Sequence, residues 1–125
     1  MLARGSGSIV NVASILGLVA ASPMKDATYC ASKGALVNLT RQLGCEWGRK
    51  GVRVNALAPG WFPTEMNQAS MFDDEAGASF VRRNTPMGRP GELHELDGAL
   101  LFLCSDASSY VTGHVLAVDG GWVAR

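Results

Sequence analysis

Ser8-Ile9-Val10-Asn11-Val12-Ala13 and Val52-Arg53-Val54-Asn55-Ala56-Leu57-Ala58 are two short β-branched, apolar runs, each preceded by turn residues, and their reading decides the fold. Runs of this kind read as buried strands. Between them a helical stretch runs from about Asp26 to Trp47, with Leu36, Leu39, Leu43 and Trp47 recurring three or four residues apart as one apolar stripe. Asp26 or Thr28 can cap its start, Gly48 and Gly51 stop it, and Arg49 and Lys50 suit the negative end of its dipole. Strand, long helix, strand is a βαβ unit, which requires parallel strands and a right-handed crossover. Ligands of such open sheets bind outside the carboxyl ends of the strands. Those ends are Ser14 and the segment from Pro59 to Thr64.

Further along, residues 61 to 91 are the most polar part of the chain. Asp73-Asp74-Glu75 opens a helix to Arg82-Arg83, its acidic start favoured by the helix dipole. A third helix is predicted from about Glu92 to Cys104, with Leu93, Leu96, Leu100 and Leu103 on one face, and Val115-Leu116-Ala117-Val118 is the last strand, before Asp119-Gly120-Gly121. No repeat and no linker interrupts residues 1–125. Three buried strands leave the edges of a parallel sheet unsatisfied, which points to missing structure at the amino end.

With 11 Lys and Arg against 11 Asp and Glu, the net charge is zero. Neither nucleic acid nor an anionic membrane is then an expected partner, since both need a clustered positive excess. The longest apolar runs, Ile15 to Ala21 and Ala99 to Cys104, fall short of the ~20 residues that span a bilayer. Cys30, Cys45 and Cys104 form no close pair, which argues against a disulfide framework or a Cys-x-x-Cys zinc site and for buried, reduced thiols of a cytoplasmic protein. His94 and His114 have no ligand cluster at metal-binding spacing, so no metal site is expected.

Tyr29-Cys30-Ala31-Ser32-Lys33 sets a phenol and an ammonium four residues apart, on one helix face. A cation beside a phenol favours its ionised form, which suits a tyrosine to proton transfer near neutrality. Alone, the pair is equally two surface side chains that share a face. Here it follows Asn11-Val12-Ala13-Ser14 at a strand end and precedes Asn55-Ala56-Leu57-Ala58-Pro59-Gly60, with Thr64 four residues beyond Gly60 and Asp119-Gly120-Gly121 closing the series. In this order, from about Gly7 to Trp122, the chain resembles the short-chain dehydrogenase/reductase family.

The resemblance implies an α/β fold, the carboxyl-terminal half of a Rossmann-like doubly wound parallel sheet, with residues 64 to 91 as a lid over the substrate. It implies that Tyr29 is the catalytic acid/base, that Lys33 supports it and bonds the nicotinamide ribose, and that Ser14 holds the substrate oxygen. A loop serine that satisfies its own backbone is the plainer alternative for Ser14. Pro59, Gly60, Phe62 and Thr64 would line the nicotinamide. The family's glycine-rich phosphate turn does not occur in the chain: Gly5-Ser6-Gly7 precedes a strand, whereas a phosphate fingerprint must follow one. His94-Glu95 lacks a second His at helical spacing and Ser14 lacks a nucleophile-elbow glycine, which removes zincin and hydrolase chemistry.

The implied activity is hydride transfer between NAD or NADP and a carbonyl or secondary alcohol. Pro59-Gly60-Trp61-Phe62-Pro63-Thr64-Glu65-Met66 looks most like sugar, gluconate and polyol dehydrogenases, with 3-oxoacyl reductases as close relatives. A homodimer or homotetramer is implied for the full-length form. The competing expectation is a non-catalytic, truncated chain that acts only as an assembly module through the stripe on the long helix.

Overall fold

A computed structural model describes residues 1–125. Three strands, β1 (Gly7–Val12), β2 (Val52–Pro59) and β3 (Val115–Val118), and three helices, α1 (Ala27–Gly48), α2 (Glu75–Asn84) and α3 (Asp97–Cys104), are joined by short 3-10 and π turns. The sheet is parallel with order β1-β2-β3. Gly7 stands opposite Val52 and Val12 opposite Leu57, while Ala56 to Pro59 pair with Val115 to Val118. The α/β class and the parallel sheet expected from the sequence are therefore present. No helix is long and apolar enough to cross a membrane.

β2 is the spine. Val52, Val54, Ala56, Leu57 and Ala58 are almost fully buried, as a central parallel strand covered on both faces requires. Asn55 is completely buried within this apolar run, and both ends of its amide are engaged: Nδ2 donates to the Val111 carbonyl at 2.9 Å and Oδ1 accepts the His114 N–H at 3.1 Å. A buried amide left unpaired would be costly; paired, it ties the approach to β3 onto β2. Arg53 donates to the carbonyls of Leu103 and Ser105, at 3.2 and 3.0 Å, and to Ser108 Oγ at 2.6 Å. That sets a cation at the negative end of α3.

α1 lies on the sheet through a face other than the predicted one. Its buried residues are Val37, Thr40 and Gly44, whereas Leu39 of the leucine stripe is 48% exposed and Leu36, Leu43 and Trp47 are only half-buried. Side-chain size explains the difference. A Cβ at Gly44 would meet the Gly113 nitrogen at 2.5 Å, so only glycine lets the helix approach this closely, and the leucines are turned to the flank. Thr40 fits the same contact by accepting from Asn11 Nδ2 at 2.9 Å and donating to the Leu36 carbonyl at 2.8 Å.

The third helix is also shorter than its leucine spacing predicts. Leu93–Leu96 form a 3-10 turn before α3, and of the expected apolar face only Leu103 is buried, with Leu93 and Leu100 exposed. The acidic residues at the entry set this geometry, Glu95 reaching back to accept the Glu92 N–H at 2.8 Å. The cysteines depart from expectation as well. All three are free thiols, but Cys45 and Cys104 are exposed and Cys30, packed beside the Ile15–Leu16 cluster, is half-buried.

Past β3 the chain turns sharply at Gly120 and Gly121, with φ of 63° and 91°. The Asp119 carboxylate holds this turn by accepting the N–H groups of Gly121 and Val123, each at 2.9 Å. Trp122 is thereby driven into a cluster with Ile15, Leu16 and Ala21. Its ring makes edge contacts with Trp61 (5.5 Å between centroids) and with Phe80 of α2 (5.8 Å). The loop after β1, the turn after β2, α2 and the chain end therefore share one aromatic centre.

Candidate active site

At the carboxyl end of β1 the chain enters the 3-10 turn Ile15–Gly17, and Ser14 stands at its start, 8% exposed. Ser14 Oγ accepts the Leu16 N–H at 3.1 Å. The plainer reading of this serine is thus realised in part, yet the hydroxyl hydrogen remains free to donate. Tyr29 lies in the first turn of α1, half-buried against the Ile15–Leu16 cluster, and its hydroxyl makes no hydrogen bond within the chain. One turn on, Lys33 Nζ donates to the Val12 carbonyl at 2.9 Å and stands 5.6 Å from the Tyr29 ring centroid. Gly17 is required here, since a Cβ would meet the Lys33 carbonyl at 2.7 Å.

Ser14 and Tyr29 open into one cavity of about 310 Å³. Gly60 and Trp61 form its floor, Met24 and Asp26 its near wall, and Met66, Asn67, Ser70 and Met71 its roof. Ser14, Tyr29 and Gly60, three of the residues expected at the site, are therefore brought together. Lys33 does not line the cavity but supports the wall behind Tyr29. Pro59 ends β2 beside Val118, and Gly60 donates to the Val118 carbonyl at 2.9 Å; a Cβ on Gly60 would lie 2.6 Å from Asp119 Cα.

The other two expected cofactor residues are differently disposed. Phe62 is 6% exposed, with its ring against Gly91, where a Cβ would come within 2.3 Å, and it does not line the cavity that holds Ser14 and Tyr29. Thr64 is exposed, and its N–H and hydroxyl both donate to Asn67 Oδ1, at 2.8 and 3.1 Å. Asn67 closes the turn by donating to the Phe62 carbonyl at 2.9 Å. Asp26, Trp61, Asn67 and the methionines are cavity residues that sequence reasoning did not single out. Two signals were available, since Trp61 directly follows Pro59-Gly60 and Asp26 precedes Tyr29 by three, one helical turn. The Trp61 indole Nε1 is buried and has no hydrogen-bond partner.

Outside this cavity, Arg89 grips Glu95 with two parallel bonds of 2.7 Å. The Arg89 hydrogen bond, joined by the Glu92 N–H, pulls the Glu95 carboxyl down from its ordinary value to about 2, and the same pair raises Arg89. A depressed carboxylate contributes stability that is present above its unfolded pKa, about 4.3, and is lost as pH falls through the folded one. The pair is thus expected to persist at pH 4 and to break only toward pH 2. Carbon-detected NMR titration of the Glu95 carboxyl checks this; a midpoint near 4 would refute the clamp.

The family model described as Enoyl-(Acyl carrier protein) reductase matches residues 1–123. Galactitol 2-dehydrogenase (L-tagatose-forming) of Cereibacter sphaeroides is 51% identical over 122 residues, 98% of this chain and 48% of that protein. Gluconate 5-dehydrogenase of Gluconobacter oxydans is 46% identical over 121 residues, 97% of this chain and 46% of that protein. The crystal structure of a gluconate 5-dehydrogenase from Burkholderia cenocepacia, in complex with NADP and tartrate, superposes with a TM-score of 0.93 at 43% identity, covering 99% of this chain and 48% of that one. The chain spans about half the length of the curated relatives it matches.

Proposed function

This chain belongs to the short-chain dehydrogenase/reductase family, and from that membership we propose that it carries the catalytic half of an NAD(P)-dependent oxidoreductase acting on a secondary alcohol or carbonyl of a polyol, sugar or sugar acid. One observation carries the reading: Ser14 and Tyr29, from two different elements, line the same cavity. Neither hydroxyl hydrogen is committed within the chain.

The residues fit the nicotinamide riboside half of such a cofactor. Lys33 has three N–H donors and gives one to Val12, leaving two for a ribose diol. The backbone around Pro59 to Phe62 lies at the strand end where parallel sheets bind ligands. When bound, the nicotinamide takes or gives the hydride. In alcohol oxidation the carbinol C–H bond would break with its electron pair leaving as hydride, the C=O bond would form, and the hydroxyl proton would pass to the Tyr29 oxygen in its phenolate form. Ser14 donates a hydrogen bond to the same oxygen and fixes its position, worth about 0.5–1.5 kcal/mol by ordinary standards. Reduction runs the same steps backward, Tyr29 giving the proton.

Residues 64 to 91 serve as the lid, with Met66 and Met71 over the cavity. The half-exposed flank of α1 around Leu39 suits a homo-oligomer contact; the three free thiols suit a reducing compartment such as the cytoplasm.

The test uses a chimaera in which this chain follows the amino-terminal half of the galactitol 2-dehydrogenase. It is expected to oxidise an alcohol with NAD or NADP. In it, Lys33→Met should lower kcat and raise the cofactor Kd, each by roughly tenfold or more, since a charged donor is removed. A loss confined to kcat would take Lys33 off the ribose. A chimaera that folds, binds cofactor and oxidises nothing would end the dehydrogenase reading and favour an assembly role.

A further inference from the structure

The cavity that joins Ser14 and Tyr29 has a single carboxylate in its wall and no basic side chain. That carboxylate is Asp26, at the amino end of α1, where an aspartate ordinarily accepts a backbone N–H of the first turn. Here the backbone adopts φ −132° and ψ 52°, and the side chain makes no capping bond. It forms no ion pair either: the salt bridges of the chain join Arg82 to Glu75, Arg89 to Glu95 and His94 to Glu92. The two lysines nearest in sequence do not face the cavity, Lys33 being bonded to Val12 and Lys25 lining a separate outer hollow, along which Asp26 also extends. The Asp26 carboxylate makes no hydrogen bond or ion pair within the chain, and it lines the same cavity as Tyr29.

We infer that Asp26 determines specificity, selecting an uncharged polyol or its ketose and turning away sugar acids. The inference rests on the dehydrogenase reading. Asp26 and Tyr29 stand three residues apart in sequence and line one cavity of about 310 Å³. A substrate whose reacting oxygen lies between Ser14 and Tyr29 therefore brings hydroxyls two or three carbons further along within reach of Asp26. Those hydroxyls donate to the carboxylate, while a second carboxylate at the same place is repelled, with no cation on the wall to compensate. Met24, Met66, Met71 and Leu16 cover the remaining wall with apolar surface, against which a chain of C–H groups packs and a carboxylate loses its hydration. The relatives act, by name, on both kinds of substrate, galactitol being neutral and gluconate anionic; the charge of this wall separates the two.

The experiment compares kcat/KM for galactitol and for gluconate in the chimaera, with Asp26 intact and as Asp26→Asn. The intact protein is expected to favour galactitol by at least about tenfold, the scale of one close like-charge contact. Asp26→Asn should raise KM for galactitol with little change in kcat, improve gluconate, and narrow the ratio by about tenfold, as loss of a bond to a charged acceptor implies. Should the amide variant not fold, Asp26→Ser, a favoured residue at helix starts, gives the same comparison. Preference for gluconate with Asp26 intact, or a ratio unmoved by the substitution, would overturn the inference alone. Absence of hydride transfer from either alcohol would overturn the dehydrogenase reading, and the inference with it.

Discussion

Tyr29→Phe, introduced into the chimaera, is expected to lower kcat by about 10²–10⁴-fold, the usual contribution of general acid–base catalysis, while cofactor affinity and melting temperature hold. The phenol hydroxyl makes no hydrogen bond inside the chain, so its removal leaves no buried partner unsatisfied. The ring stays against Ile15 and Leu16, and its packing is retained. What disappears is the phenol that lines the cavity beside Ser14 and that exchanges a proton with a substrate oxygen in the proposed reaction. Steady-state kinetics with a fluorescence titration of NADH on the same sample separate the two effects. Turnover within a few-fold of the parent would remove Tyr29 from the role.

Residues 1–125 by themselves are expected to show no measurable binding of NADH or NADPH and no carbonyl reduction. The pyrophosphate is the most charged part of the cofactor, and its usual seat is a glycine-rich turn opening a helix. In this chain Gly5 precedes β1 and Gly7 opens it, and β1 leads into Ser14 and a 3-10 turn. Nicotinamide-side contacts remain, each hydrogen bond contributing about 0.5–1.5 kcal/mol, against an association cost of ~4–15 kcal/mol. Isothermal titration on monodisperse protein is decisive. Micromolar affinity would mean that the nicotinamide end alone anchors the cofactor.

The βαβ frame was legible because β2 is Gly-bounded and apolar except at Arg53 and Asn55, the pattern of a buried parallel strand. That Ser14 and Tyr29 line one cavity was foreshadowed by the Asn-x-x-Ser strand end and the Tyr-x-x-x-Lys helix start, which follow one another along the chain. The face of α1 was misread because leucine spacing records hydrophobicity and not distance of approach. Thr40 and Gly44, poor marks on a hydrophobic scale, are the residues that let the helix sit down on the sheet. The exposed cysteines were misread on composition, which says nothing of which way a helix turns. Of the cavity's roof only the segment was expected, not its residues: Met66, Asn67 and Met71 belong to an irregular turn and a π turn, whose path is set by the bonds of one amide, that of Asn67, and not by any periodicity.

The aromatic centre at the chain end gives the protein an intrinsic optical probe. Two of its three tryptophans, Trp61 and Trp122, touch edge to face, and Trp61 also floors the cavity while Trp122 contacts Phe80 of α2. The third, Trp47, sits at the far end of α1 and supplies a constant background of emission. Quenching and spectral shift of the first two therefore follow occupancy of the cavity and displacement of α2 without any label, and Trp47→Phe would leave a signal that comes from the site alone.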